Sequence, residues 1–195
     1  GNAALALDWM WLIEKSSTPR VGFLLIDYPG FGKCEGSASP ETILASSQMA
    51  LDIWLEDHSD DVKPQLGIMG HSLGTGAGLQ LAEKNVVSKV VLLSPFTSFA
   101  DLVRKMFGSW LVPLLLHRFE NKGPIENLLQ LGSPPEIIII HGTQDEVIPV
   151  DMGRELAALD KQRIEYIELP NSGHNTIIQD AFTKILSELK ADASP

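Results

Sequence analysis

Gln65-Leu66-Gly67-Ile68-Met69-Gly70-His71-Ser72-Leu73-Gly74 is a short apolar run that stops at a glycine, with a serine two residues later and a second glycine two beyond that. The small residues Thr75 to Gly78 then open a segment of helical character. Gly-x-Ser-x-Gly between a strand and a helix is the context in which a serine is held on a sharp turn. The glycines fit that demand, because a Cβ at the flanking positions is expected to collide with the strand or the helix. Composition alone gives the bare pattern roughly one chance in ten in a chain of this length, so the flanking strand and helix carry the weight. Ser72 is therefore the candidate nucleophile.

The same alternation runs outward in both directions. Upstream, Asn2 to Lys15 carries a helical stripe at Leu5, Trp9, Leu12 and Ile13, and Val21–Ile26 reads as a buried strand. That run ends in Asp27-Tyr28-Pro29-Gly30-Phe31-Gly32, a loop dense in glycine and proline. Ser39-Pro40-Glu41 reads as an N-cap with proline in the first turn of a helix that closes near Asp57. Downstream, Val90–Leu93 is another strand, and 96–135 loosens into helical pieces around Leu102–Leu116 and Ile125–Leu131. Ile137-Ile138-Ile139-Ile140 is comfortable only in a strand buried on both faces, as in a parallel sheet. A helix over Val150–Leu159, a strand over Ile164–Leu169 and a helix over Thr176–Leu189 complete the chain. Repeated β–α units of this kind predict a three-layer α/β/α sandwich around a mostly parallel sheet. No repeat or linker divides the chain, so residues 1–195 are expected to form a single domain.

Chemistry in such sheets gathers at the carboxyl ends of the strands. There the chain places His141-Gly142-Thr143-Gln144-Asp145-Glu146-Val147-Ile148-Pro149 and Pro170-Asn171-Ser172-Gly173-His174-Asn175. An acid and a histidine thus follow the serine, each on a loop after its own strand. A serine hydroxyl needs a base within hydrogen-bond reach, and a carboxylate on the far nitrogen of an imidazole fixes its tautomer. Ser72, Asp145 and His174 satisfy that logic in type, order and placement. Asp101 is the alternative acid, and Glu146 is too close to Asp145 to separate by sequence.

Together, Asp27 to Gly32, Gly70 to Gly74, His141 to Pro149 and Ser172-Gly173-His174 resemble the α/β-hydrolase superfamily. The branches nearest in pattern are those of serine aminopeptidases, monoacylglycerol lipases and depalmitoylases. The resemblance implies a serine hydrolase acting on an ester, thioester or amide through an acyl-enzyme, with no metal or organic cofactor and a small-molecule acyl substrate. It makes Ser72 the nucleophile, Asp145 the triad acid and His174 the base. It also implies an oxyanion hole built from the N–H of Leu73 and, if Gly1-Asn2-Ala3 is the tail of the family's earlier loop, that of Asn2. A serine at the turn excludes the aspartate-dependent dehalogenases and epoxide hydrolases of this fold. A non-catalytic binding protein or an inactive fragment is the alternative. Family members carry strands before this point, one of them between the counterparts of Val21–Ile26 and Leu66–Met69. Either those two strands pair directly, or the sequence is a piece of a longer, N-terminally extended protein, which the resemblance favours. In the family, an insertion corresponding to 96–135 often forms a lid, and Met106, Phe107, Trp110, Leu111, Leu114 and Leu115 suit an acyl-binding wall, although core packing explains the same helical spacing.

Composition excludes other classes. Lys and Arg total 15 against 25 Asp and Glu, a formal charge of -10 that disfavours nucleic acid and anionic membranes. Cys34 is the single cysteine, so no internal disulfide forms, and the cytoplasm is favoured over an oxidising compartment. No apolar run is long enough to cross a bilayer. His71 reads as a residue that packs or hydrogen-bonds locally, His141 as a structural hydrogen-bonder at a strand end, and His117 as a helix-end residue. His58, with Glu56, Asp57, Asp60 and Asp61, reads as a solvated acidic turn rather than a cation loop.

Overall fold

The computed structural model describes residues 6–16, 21–58, 65–115 and 118–191. They fall into two compact units, Leu66–Ile178 in one and Gly1–Gln65 with Gln179–Pro195 in the other.

The first unit holds the sheet. Strands β1 (Gly67–His71), β2 (Lys89–Leu93), β3 (Glu136–Gly142) and β4 (Ile164–Leu169) lie in the order β1-β2-β3-β4. All neighbouring pairs are parallel. Parallel neighbours cannot be joined by a tight turn, so each connection crosses over and carries helix. These are α3 (Leu73–Lys84), α4 (Phe99–Phe107) with α5 (Lys122–Leu129), and α6 (Val150–Ala157). On one face Val90, Leu92, Ile137, Ile139 and Ile164 pack with Leu79 of α3, Leu128 of α5 and Leu156 of α6. The alternate residues Val91, Leu93, Ile138 and Ile140 are buried too. Burial on both faces is why the four successive isoleucines are tolerated, each contributing about 1.5–3 kcal/mol on leaving water. This is the three-layer α/β/α class with a parallel sheet, reduced in strand number.

Between β2 and α5 the chain leaves the core and returns. Ser98 caps α4 by accepting the Asp101 N–H at 3.0 Å, and the helix stops at Gly108, whose φ of 94° favours glycine. A 3₁₀ turn over Ser109–Leu114 follows, with Pro113 inside it. The sequence suggests one apolar helix over Leu102–Leu116; the left-handed glycine and the proline break it in two. No residue of α4 or of the turn is buried. The base of the excursion is closed by Phe99 N–H to Phe119 O at 2.9 Å, Asn121 N–H to Thr97 O at 2.9 Å, and an antiparallel bridge between Ser98 and Glu120. In contrast, α5 buries Ile125, Leu128 and Leu129 and belongs to the core.

The second unit contains α1 (Met10–Ser16) after a 3₁₀ turn (Ala6–Trp9), α2 (Pro40–Asp57) and α8 (Phe182–Ala191). Trp11 of α1 stacks obliquely on Phe182 of α8 at 5.6 Å. At the start of α2, Thr42 N–H donates to Ser39 Oγ at 3.1 Å and Ser39 N–H to Thr42 Oγ1 at 2.9 Å, with Pro40 in the first turn. Reciprocal capping of that kind satisfies two otherwise unpaired donors. The helix expected over Thr176–Leu189 is two, since α7 (Ile177–Asp180) ends in a turn at Ala181. One expectation is corrected outright: residues 21–26 form no strand, and β1 is an edge of the described sheet. An apolar run becomes a strand only where a neighbour completes its hydrogen-bond ladder, and no described strand does so here.

Candidate active site

β1 turns into α3 through one residue, Ser72, with φ 56° and ψ −122°. A non-glycine residue in that region costs on the order of 1–3 kcal/mol and persists only where its surroundings enforce it. Gly70 shows the tightness of the turn, since a Cβ there would lie 2.3 Å from Gly74 O and 2.8 Å from Thr75 Cα. Those atoms are backbone and cannot swing aside. Gly70→Ala is therefore expected to lower unfolding stability by about 1–3 kcal/mol or more and to displace Ser72, which a urea midpoint and a labelling rate would register.

Asp145 follows β3. Its Oδ1 accepts the N–H groups of Val147 at 2.9 Å and Ile148 at 2.7 Å, so the loop wraps around the carboxylate. Burial opposes its ionisation, but hydrogen bonds from His141, His174 and the Ile148 N–H outweigh that and hold it well below the usual carboxylate range. His174 follows β4. The two loops are laced together by Gln144 N–H to Ser172 O at 2.9 Å and Asn171 N–H to Thr143 Oγ1 at 3.0 Å. A Cβ on Gly142 would meet Ser172 O at 2.2 Å, so only glycine lets the loops approach this closely.

The result is one hydrogen-bonded line. His174 Nδ1 lies 2.9 and 3.0 Å from the two Asp145 oxygens, and His174 Nε2 lies 3.0 Å from Ser72 Oγ. An ionised carboxylate only accepts, so Nδ1 carries the proton and Nε2 presents its lone pair to the serine hydroxyl. The Asp145 side chain is fully enclosed and that of His174 is 7% exposed. The three residues drawn from the sequence are thus brought together from three loops. Leu73 is the first residue of α3, where an N–H has no acceptor within its own helix and faces outward from the positive end of the dipole. Asn2 lies outside the described residues, as do His117, Asp60 and Asp61.

The alternative acid is elsewhere. Asp101 is bound by Ser98 Oγ at 2.8 Å, Thr97 Oγ1 at 3.1 Å and Arg104, at the start of α4. Glu146 is exposed, whereas Asp145 is enclosed. His141 donates Nε2–H to Ile148 O at 2.9 Å with Asp145 Oδ2 at 3.5 Å, which braces the acid's loop. Among the described residues no cluster of His, Cys, Asp or Glu could hold a metal ion, and no helix is long and apolar enough to cross a membrane.

His71 has more to do than its sequence position suggests. Its Nε2–H donates to His174 O at 3.0 Å, and the two rings lie 4.8 Å apart. Burial first, and the neighbouring His174 second, push its pKa down to about 4. Because the unfolded chain binds this proton better, the contribution to stability is complete above about pH 6.5 and is lost as pH falls toward 4. The expected loss across that window is about 3 kcal/mol, read as a falling urea midpoint that His71→Gln flattens.

Residues 4–132 match the family described as "Alpha/beta hydrolase family". The chain is 30% identical over 172 residues to the Mycobacterium tuberculosis protein MT2364, covering 85% of this chain and 59% of that one. It is 29% identical over 210 residues to YfhR of Salmonella typhi, covering 99% and 67%. The chain therefore spans about three fifths to two thirds of the length of these relatives. Among solved structures it resembles the monoacylglycerol lipase of Paleococcus ferrophilus, with TM-score 0.68, 18% identity, and coverage of 98% of this chain and 92% of that one. At that identity the likeness shows a shared fold.

Proposed function

The chain belongs to the alpha/beta hydrolase family, and from that premise we propose that it is a serine hydrolase cleaving a carboxylic ester, thioester or amide through an acyl-enzyme. The observation that carries the reading is the line from Ser72 Oγ through His174 to Asp145, with no step longer than 3.0 Å. In the first half-reaction His174 Nε2 takes the Ser72 proton as Oγ bonds to the carbonyl carbon. Negative charge collects on the former carbonyl oxygen, where the Leu73 N–H is the donor at hand. Collapse breaks the bond to the leaving group, which receives the proton from His174. In the second half-reaction His174 takes a proton from water, the hydroxide oxygen bonds to the acyl carbon, and Ser72 recovers its proton as the acid departs. Asp145 stays ionised throughout and stabilises the imidazolium.

For the acyl side, the excursion over 99–115, within the lid expected at 96–135, is the element we assign. Phe107 and Trp110 are 58% and 74% exposed, and Met106 and Leu114 are exposed as well, so core packing does not account for them. Ligand sites are mostly apolar with few polar anchors, which favours an apolar acyl chain over a charged peptide. Residues 1–195 are proposed to work as one domain. The test is a fluorophosphonate probe, which bonds covalently to activated serines. Labelling at Ser72 that vanishes in Ser72→Ala supports the reading, and labelling that persists in Ser72→Ala sinks it.

A further inference from the structure

The strained φ of 56° at Ser72 has to be held from outside the residue. On one side the Ser72 N–H donates to Leu93 O at 3.0 Å. On the other its carbonyl accepts twice from Thr75, from the backbone N–H at 2.9 Å and from the hydroxyl at 2.6 Å. Thr75 is fully buried, and its hydroxyl has a second partner, Nδ2 of Asn121, at 2.9 Å. Counting protons fixes every direction in this chain. A carbonyl only accepts and a hydroxyl has one proton, so Thr75 gives that proton to Ser72 and Asn121 must donate to Thr75. Asn121 is also fully buried, and its N–H donates to Thr97 O at 2.9 Å while its carbonyl accepts the Ile125 N–H at 3.1 Å. Those bonds lie beside the Ser98–Glu120 bridge that closes the excursion.

We propose that Thr75 and Asn121 are positioning residues for Ser72, a buried two-step relay that aims the serine and ties its backbone to the base of the excursion. Both act through the Ser72 carbonyl. The kinetic part of the proposal rests on Ser72 being the nucleophile; the structural part does not.

Thr75→Val keeps the shape and removes the hydroxyl. Misplacing a reacting group by about 1 Å costs on the order of a hundredfold, so kcat and the rate of fluorophosphonate labelling are expected to fall about 10–100-fold with KM unchanged. Thr75→Ser, which keeps the hydroxyl, restores most of the rate. Once ionised, the carboxylate of Asn121→Asp offers an acceptor where a donor stood and captures the Thr75 proton, so it reproduces the loss at pH above its burial-raised pKa with almost no change of shape. Asn121→Ala added to Thr75→Val makes kcat no worse, because Asn121 works through Thr75. If the stranded amide keeps Thr75→Val from folding, this double variant, with both partners gone, carries the same expected slowing.

Amide hydrogen exchange at Ser72, followed by NMR, reads the relay whatever the chemistry. Exchange is expected to speed up in Thr75→Val and Asn121→Asp and to stay at the wild-type rate in Thr75→Ser. If the wild-type protein takes no probe at Ser72, the hydrolase reading falls and exchange alone decides the relay. Unchanged exchange in Thr75→Val, or kinetic losses that add across the double variant, would overturn it.

Discussion

His174→Ala is expected to lower turnover by about 10⁴–10⁶ while leaving substrate binding nearly intact. Every proton in the proposed cycle passes through His174 Nε2, which sits 3.0 Å from Ser72 Oγ. Among the described residues no second base stands ready. His71 is the nearest other imidazole, but its Nε2 is committed to the His174 carbonyl and its pKa is held near 4 by burial and by His174. His141 Nε2 is likewise committed, to Ile148 O. The rate left in His174→Ala should come from the oxyanion donors and from binding alone, as when any one member of such a unit is removed. A urea titration separates this from a folding defect, since a folded His174→Ala protein keeps the wild-type m-value. A folded variant within tenfold of the wild-type rate would remove histidine from the base position.

Much of this was legible in the sequence because periodicity and turn chemistry act locally. Ile137–Ile140 could be read as a two-face-buried strand, and Ser39-Pro40 as a helix start, without knowing anything distant. The serine turn was legible for the same reason, although the steric demand falls on Gly70, whose Cβ would strike the Gly74 carbonyl. Val21–Ile26 misled because strand propensity does not supply a ladder partner, and pairing is a property of neighbours. The relay was invisible for the converse reason. Asn121 and Thr75 lie 46 residues apart, and nothing local marks either as a partner of the other. His71 reads from its sequence position as packing or hydrogen-bonding locally, yet its acceptor is 103 residues away. Acid choice needed the fold as well, because Asp101 and Asp145 both follow strands and only hydrogen-bond geometry separates them.

Asp145→Asn is expected to cost nearly as much as loss of the histidine, about 10⁴ in turnover, although it changes only one atom. Oδ1 of Asp145 accepts from the Val147 and Ile148 N–H groups, so the oxygen of an asparagine is compelled to stay there. Its NH₂ must then occupy the place of Oδ2, 2.9 Å from His174 Nδ1. The NH₂ then faces Nδ1 donor to donor, which favours the opposite tautomer, with the proton on Nε2 and no lone pair for Ser72, over an Nδ1–H that reaches only the already twice-bonded Oδ1 at 3.0 Å. The imidazolium also loses the charge that stabilises it. Stability separates this from misfolding, and its sign follows from the depressed pKa of Asp145. That group's contribution is present above the unfolded carboxylate value of about 3.9 and is lost as pH falls below it. Asp145→Asn removes the titrating group, so its urea midpoint should fall less steeply with acid below about pH 4 while its activity is lost at every pH. Asp101→Asn, at the start of α4, should stay within a few-fold of wild type. If Asp101→Asn proves the more damaging, or Asp145→Asn retains a tenth of the rate, the acid belongs elsewhere.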